Sequence, residues 1–349
     1  MTDDLLGKIF HHLCERGPLS LRHLLFVSGR FYSVIVKSAH LWTTISLDSF
    51  FLHYFRQRPE QGNRFVELCL LRSDPLLLCL YIGPFDIDTD DSPLFLPLLK
   101  TFGKPEWRDF QRCTSLTWED AIHHKASRIR MFVDLLPRSL PSLKHISFTG
   151  FKDPIGGSRF PNCPVLERVE ILDHQRPSPY FWGTNFLRVI SLTIGYSYHW
   201  IDIDLATLSL FPVLRDLKLF TVCGTAYLSD VNHQLPVIFE NLHILRAHGR
   251  IPREVLTTLV APDLEELHLE ANTDNFTSTS ALRTSFHPLC RDIHALLPEA
   301  VSTSEPEWAT NLSNLVQKCT RLKSLYISRW MEEQCNEFMS GQDVVLHVQ

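Results

Sequence analysis

The sequence predicts an α/β chain with two unequal parts, a short helical module followed by a long alternation of strands and helices. Two periodicities carry that expectation. Over Asp3–Leu47 apolar residues recur at helical spacing. From Leu143 onward a six-residue frame, apolar at its first, fourth and sixth positions, returns at intervals that suit a strand plus a helix. The length of 349 residues leaves room for two domains, or for one small module and an elongated one.

The helical part comes first. Leu5, Leu6, Ile9, Phe10 and Leu13 fall on one helical face, and Asp3 with Asp4 stand where an N-cap and a first-turn acid satisfy free amides and the helix dipole. Gly17-Pro18 breaks the run. A second stripe follows through Leu21, Leu24, Leu25 and Val27, and a third through Phe31, Tyr32, Ile35 and Val36, ending in Leu41-Trp42. Three helices this short bury little apolar surface among themselves, so the module needs a partner or the rest of the chain.

Between the two parts, Thr44–Leu47 alternates as a short strand and Pro59–Arg72 reads as a helix with Phe65, Leu68, Cys69 and Leu71 on its apolar side. The leucine-rich run Leu76–Ile82, bounded by Gly83-Pro84, reads as a buried strand. Residues 86–93 form an acidic loop and Glu106–Arg112 a short helix. The expected domains are residues 1–48, 49–112 and 113–349.

The frame LxxLxL begins at Leu143, Leu166, Leu187, Leu214, Leu242, Leu264 and Leu322, with 23, 21, 27, 28, 22 and 58 residues between successive starts. The long gap has room for two units and contains a helical stretch over 281–297. Pro141, Pro164, Pro212 and Pro262 each stand two positions before a leading leucine, which fits the entry to a strand. Helix-like runs over 128–136, 205–210, 254–260 and 308–319 separate the strands. Strand and helix at this spacing are the signature of an irregular leucine-rich repeat solenoid, in which each unit buries its apolar edge only by stacking on its neighbours. A general α/β domain with leucine-rich strands remains the alternative. The segments 330–339 and 344–348 read as a closing helix and strand.

Composition excludes several classes of function. A net charge of −5 and a pI near 6.4 leave no basic footprint for nucleic acid. Nine cysteines without a CxxC pair read as reduced, buried thiols, and no apolar run approaches the ~18–20 residues of a membrane span. A soluble protein of the cytoplasm or nucleus is expected, with no membrane partner. No phosphate-loop, dinucleotide, nucleophile-elbow or zincin motif occurs, so no enzyme activity and no cofactor or metal is expected. Asp86, Asp88 and Asp90 open like a calcium loop, but Asp91 and Pro97 hold the positions that need glycine and glutamate. The adjacent pairs His11-His12 and His123-His124 point about 100° apart on a helix and read as surface histidines.

In the frame the intervening positions face away from the core. They hold His145 and Ser147, Arg168 and Glu170, Asp216 and Lys218, Ile244 and Arg246, Glu266 and His268, then Ser324 and Tyr326. Interleaved charges with histidine and tyrosine suit recognition of a protein segment on a concave face, or a merely solvated sheet face. The target-binding candidates are Arg168, Glu170, Asp216, Lys218, Arg246, His268 and Tyr326.

The ordered set Asp4-Leu5-Leu6, Ile9, Leu13, Val27-Ser28, Phe31 and Leu41-Trp42 resembles an F-box, over roughly the first fifty residues. That family opens with Leu-Pro before its acidic pair, where this chain has Met1-Thr2, so either part of the first helix's anchor is lacking or the true start lies upstream. Phe31 stands where many members carry Trp. The resemblance implies a substrate receptor of a Skp–cullin–F-box ubiquitin ligase that performs no chemistry itself. Its partners would be a Skp-family linker protein, through it a cullin–RING ligase, and a protein target. Linker binding would fall to Leu5, Leu6, Ile9, Leu13, Leu21, Leu24, Val27 and Phe31, with Trp42 as a terminal anchor. Two other readings stay open: a protein-binding scaffold that recruits no ligase, and an enzyme whose site carries no recognised motif.

Overall fold

The six-residue frame folds as a tight turn followed by a strand. A computed structural model of the protein describes residues 2–14, 18–55, 57–83, 108–119, 136–149, 160–172, 185–196, 201–202, 208, 211–221, 226–227, 237–248, 259–270, 305–327, 332, 335–336 and 344–348. Ahead of five of the seven frames the leading leucine's N–H donates to the carbonyl three residues back: Leu143 to Leu140 (3.2 Å), Leu166 to Cys163 (3.1 Å), Leu242 to Phe239 (3.4 Å), Leu264 to Ala261 (3.1 Å) and Leu322 to Cys319 (3.2 Å). The prolines thus occupy the second position of a β-turn rather than the strand entry. Their fixed φ suits that position and their missing N–H is not needed there.

Eleven ladder strands, all parallel to their neighbours and ordered as in the chain, follow from this unit. They are β1 (Thr44–Leu47), β2 (Leu78–Ile82), β3 (Cys113–Glu119), β4 (His145–Thr149), β5 (Arg168–Leu172), β6 (Ser191–Tyr196), β7 (Asp216–Thr221), β8 (Ile244–His248), β9 (Glu266–Glu270), β10 (Ser324–Ile327) and β11 (Val345–Val348). Six of the seven frames carry a strand from their third position. The frame read from Leu187 is displaced by two residues, since Asn185–Arg188 form a 3₁₀ turn, Val189, Leu192 and Ile194 take the core positions, and Leu187 and Ile190 are left exposed. Two units divide them: Met1–Gly195 with Leu210–Val213, and Tyr196–Ser209 with Leu214–Gln349.

In the first unit the amino-terminal helices lead into the sheet. Helix α1 (Asp3–Leu13) packs on α2 (Gly29–Lys37), with Phe10 and Phe31 edge to face at 5.1 Å. The N-cap of α1 is Thr2, whose hydroxyl accepts the Leu5 N–H; Asp3 and Asp4 both lie in the first turn, one step later than their sequence suggests. Ser28 caps α2 through the Phe31 N–H (3.1 Å). The second apolar stripe is not a helix but two short 3₁₀ turns, Pro18–Leu21 and Leu24–Phe26. After the 3₁₀ turn Ala39–Trp42, β1 pairs with β2, so the ladder begins inside the first 48 residues. Asp48 accepts the Phe51 N–H (2.9 Å) and caps α3 (Ser49–Phe55), and α4 (Pro59–Ser73) follows. Strand β2 begins at Leu78, leaving Leu76 and Leu77 exposed; α5 (Arg108–Gln111) precedes β3. Strand β3 falls outside the frame, since Leu116 and Trp118 form its core face without a leading leucine.

In the second unit β7 to β11 pair in order, and helix α6 (Glu305–Lys318) buries Leu312, Leu315 and Val316. Leu259–Val260, expected at the end of a helix, pairs as a two-residue strand with Val237–Ile238. The expectations for residues 86–93, 123–124, 128–135 and 281–297 lie outside the described residues, as does most of the closing helix over 330–339.

Within each unit, alternate strand residues form an apolar layer. Ile146, Val169, Leu192, Leu217, Leu245, Leu267 and Leu325 are at most 1% exposed. Backbone carbonyls tie successive turns together: Lys144 O accepts the N–H of Glu167 and Arg168, Arg215 O those of His243 and Ile244, His243 O those of Glu265 and Glu266, and Glu265 O those of Lys323 and Ser324. Among the described residues no helix is long and apolar enough to cross a membrane.

Replacing Leu267 by alanine leaves a cavity in this layer and is expected to cost about 2–5 kcal/mol by urea unfolding. Val345→Ala, at the exposed end of the ladder, is expected to stay within about 0.5 kcal/mol of the parent.

Candidate protein-binding surfaces

Helix α1 carries two apolar stripes. Leu6, Phe10 and Cys14 follow at four-residue steps and face the core, with Leu6 and Phe10 each 2% exposed. Leu5, Ile9 and Leu13 follow at the same steps, rotated by one residue, and are 40–54% exposed. The turn Leu24–Phe26 ends in the same fashion: Phe26 is 88% exposed and Val27 61%. These five apolar side chains are only partly covered, at 40–88% exposed.

The docking candidates therefore divide. Leu5, Ile9, Leu13 and Val27 reach solvent; Leu24 and Phe31 are partly covered. Leu6, Leu21 and Trp42 are at most 3% exposed and already belong to the chain's own core. The correction has a plain cause. A short helix with apolar residues at both i and i+1 of each turn presents two faces, and one is used to hold α1 on α2 and the neighbouring 3₁₀ turns. Trp42 serves the same end. Its indole N–H donates to Ile35 O (2.9 Å), and the Arg72 guanidinium lies 5.0 Å over its ring while donating to Val36 O (2.8 Å). Arg30 adds an exposed tie between the two helix starts, donating to Asp3 at 2.8 Å. Phe26, the most exposed apolar side chain here, was no sequence candidate, because a 3₁₀ turn has no 3.6-residue period to reveal it.

The second surface is the polar face of the ladder. His145 and Arg168, Ser147 and Glu170, Lys218 and Arg246, and Arg246 and His268 are cross-strand neighbours, as are His268 and Tyr326. The structure brings the candidates into rows within each unit but also pairs several of them off. Arg246 Nη1 donates to Asp216 Oδ1 at 2.6 Å, and His268 Nε2 lies 3.2 Å from Glu266 Oε2. The His268 and Tyr326 rings stack at 4.0 Å. Arg168 stands exposed.

On β3 to β5, His145 Nδ1 is 3.1 Å from the Ser115 hydroxyl, and its Nε2 lies 3.7 Å from Glu170 Oε1. The His145 imidazole beside it holds the Glu170 carboxyl below the usual carboxylate range, against the opposing push of partial burial, with Ser147 and Arg168 acting in the same direction as His145. Such a group stabilises the fold above its unfolded pKa of ~4.3 and loses that contribution as pH falls through its lower folded value.

No group of three or more metal-ligating side chains occurs among the described residues. Burial pushes the Cys14 thiol up to about 11, and those of Cys113, Cys163, Cys319 and Cys335 to about 12, so each is a poor nucleophile at neutral pH.

Glu170→Gln is expected to lower stability at pH 6. The gap between parent and variant should begin to close near the unfolded value of ~4.3 and vanish only as pH falls through the lower folded value, where the parent's carboxylate becomes protonated. Urea midpoints at several pH values check this; a gap independent of pH would refute the His145–Glu170 coupling.

The chain matches no known protein-family model, and no curated protein matches it.

Proposed function

We propose that the protein is an adaptor of the F-box kind. It docks a Skp-family linker protein through its amino-terminal helices and presents a protein target on the polar face of its strand ladder. The observation that carries this is the outer stripe of α1, Leu5, Ile9 and Leu13, left 40–54% exposed, together with Phe26 and Val27, in a chain whose mid-strand core residues are at most 1% exposed. Contiguous exposed apolar groups on a monomer mark association sites. The residues fall within the segment whose order of Asp4-Leu5-Leu6, Ile9, Leu13, Val27-Ser28 and Phe31 resembles that module.

Burying five side chains that are already partly covered contributes roughly 4–8 kcal/mol gross at ~1.5–3 kcal/mol for each full burial. Association costs about 4–15 kcal/mol, so polar contacts from the linker must supply the remainder. On the ladder face Arg168 is the strongest single candidate for target capture, since it is exposed whereas Arg246 is held by Asp216. Cytoplasmic or nuclear residence follows from the partners, and the adaptor's contribution to ubiquitin transfer is proximity alone.

Co-purification of the full chain with the host's Skp-family linker tests the reading. A stoichiometric complex is expected, weakened at least ten-fold by Ile9→Glu, with an unchanged melting curve because Ile9 is a surface residue. Leu6→Glu serves as the contrasting control: it buries a charge in the core and should unfold the helical segment. No complex from a folded parent chain would leave a protein-binding scaffold without ligase recruitment.

A further inference from the structure

Among the described residues, the last strand of the second unit, β11, is left open in three independent ways. First, its backbone faces outward on one side. Val345 N–H donates to Lys323 O (2.9 Å), and because successive amides of an extended strand alternate in direction, those of Leu346 and Val348 point away from β10. Second, the apolar layer stops short. Leu325 is fully buried and Ile327 is 1% exposed, while their register partners Leu346 and Val348 are partly exposed and 40% exposed respectively. Third, the polar face carries an unfinished stack. The rings of His268, Tyr326 and His347 lie parallel at 4.0 and 4.3 Å, tilted by only 4° and 10°, and His347 is the last of the row at the edge of the sheet.

We infer that β11 receives an extended segment of a partner protein as an added strand, with a planar side chain stacked on His347 and apolar side chains beside Leu346 and Val348. An extended backbone is the one occupant that satisfies both outward amides while continuing the layers on both faces. Strand β10 already displays the matching chemistry, since Leu325, Tyr326 and Ile327 oppose Leu346, His347 and Val348. The planar group is an aromatic ring or a guanidinium, either of which stacks on imidazole at this spacing. The site does not depend on the amino-terminal docking surface and stands or falls separately from it.

A fluorescein-labelled peptide copying Arg321–Trp330 (RLKSLYISRW) serves as the probe, titrated with the full chain by anisotropy. Saturable binding is expected, weakened at least ten-fold when serine replaces the peptide's tyrosine. Val348→Pro in the protein deletes an outward amide while leaving the β10 pairing intact, and should weaken binding at least ten-fold with an unchanged melting curve. Should that variant melt early, Val348→Lys places a charge on the same edge and is expected to have the same effect. No saturable binding, equal binding of both peptides, or indifference to the edge variants would overturn the assignment. A dimer in sedimentation that either edge variant dissolves would overturn it in favour of a second copy of the chain.

Discussion

The ladder depends on one repeated backbone interaction: from Lys144 onward, a carbonyl at the mouth of a strand accepts two successive amides from the next turn, as at Lys144, Glu167, Arg215, His243 and Glu265. Lys144 O serves Glu167 and Arg168, and Glu265 O serves Lys323 and Ser324 in the same way. A buried amide left without an acceptor costs about 1–3 kcal/mol, far more than the net gain of a typical bond, so the arrangement acts mainly by tolerating no slip. Register follows from it. Once Glu167 and Arg168 are seated on Lys144, Val169 can only fall opposite Ile146, and Ile171 opposite Phe148. A slip by one residue would turn the whole apolar set to solvent. Where a β-turn precedes the leading leucine it delivers the chain to that carbonyl, and proline at its second position limits the alternatives.

The amino-terminal helices use the same economy differently. One stripe of α1 closes the first unit, through Leu6, Phe10 and Cys14, and Trp42 is pinned between Ile35 O and Arg72. The segment is thereby held by its own chain, although a helical unit so small has too little core to stand alone. That leaves the second stripe, Leu5, Ile9 and Leu13, without a structural duty. An apolar surface that does nothing for the fold is where a binding role is most economically placed.

On the polar face the pattern is one of mutual satisfaction. Asp216 holds Arg246 and Glu266 holds His268; the two aromatic stacks join β9, β10 and β11 along one row. Charges locked in this way rigidify a surface more than they attract a ligand, since a partner must displace an existing contact to use them. Groups outside such pairs, Arg168 on β5 and the outer ring face of His347, carry more of the capacity for recognition.

The amino-acid sequence by itself determined six of the seven frame strands with their core-facing residues, and a helix from Pro59; around Leu187 the frame was legible but two residues out of place. All of these are local: a period of two, a capping residue or a turn proline acts within a few positions of chain. Three things only the tertiary structure decided. The residues 18–27 gave up a helix for two 3₁₀ turns, which exposed Phe26 beside the expected Val27. The segment Cys113–Glu119 joined the ladder without its leading leucine, because its neighbours on both sides supplied the pairing that its pattern lacked. And of the nine residues legible as a docking set, Leu6, Leu21 and Trp42 were taken into the core. Periodicity reports that a face is apolar; whether that face meets the chain's own sheet or a partner is settled by residues far away in sequence.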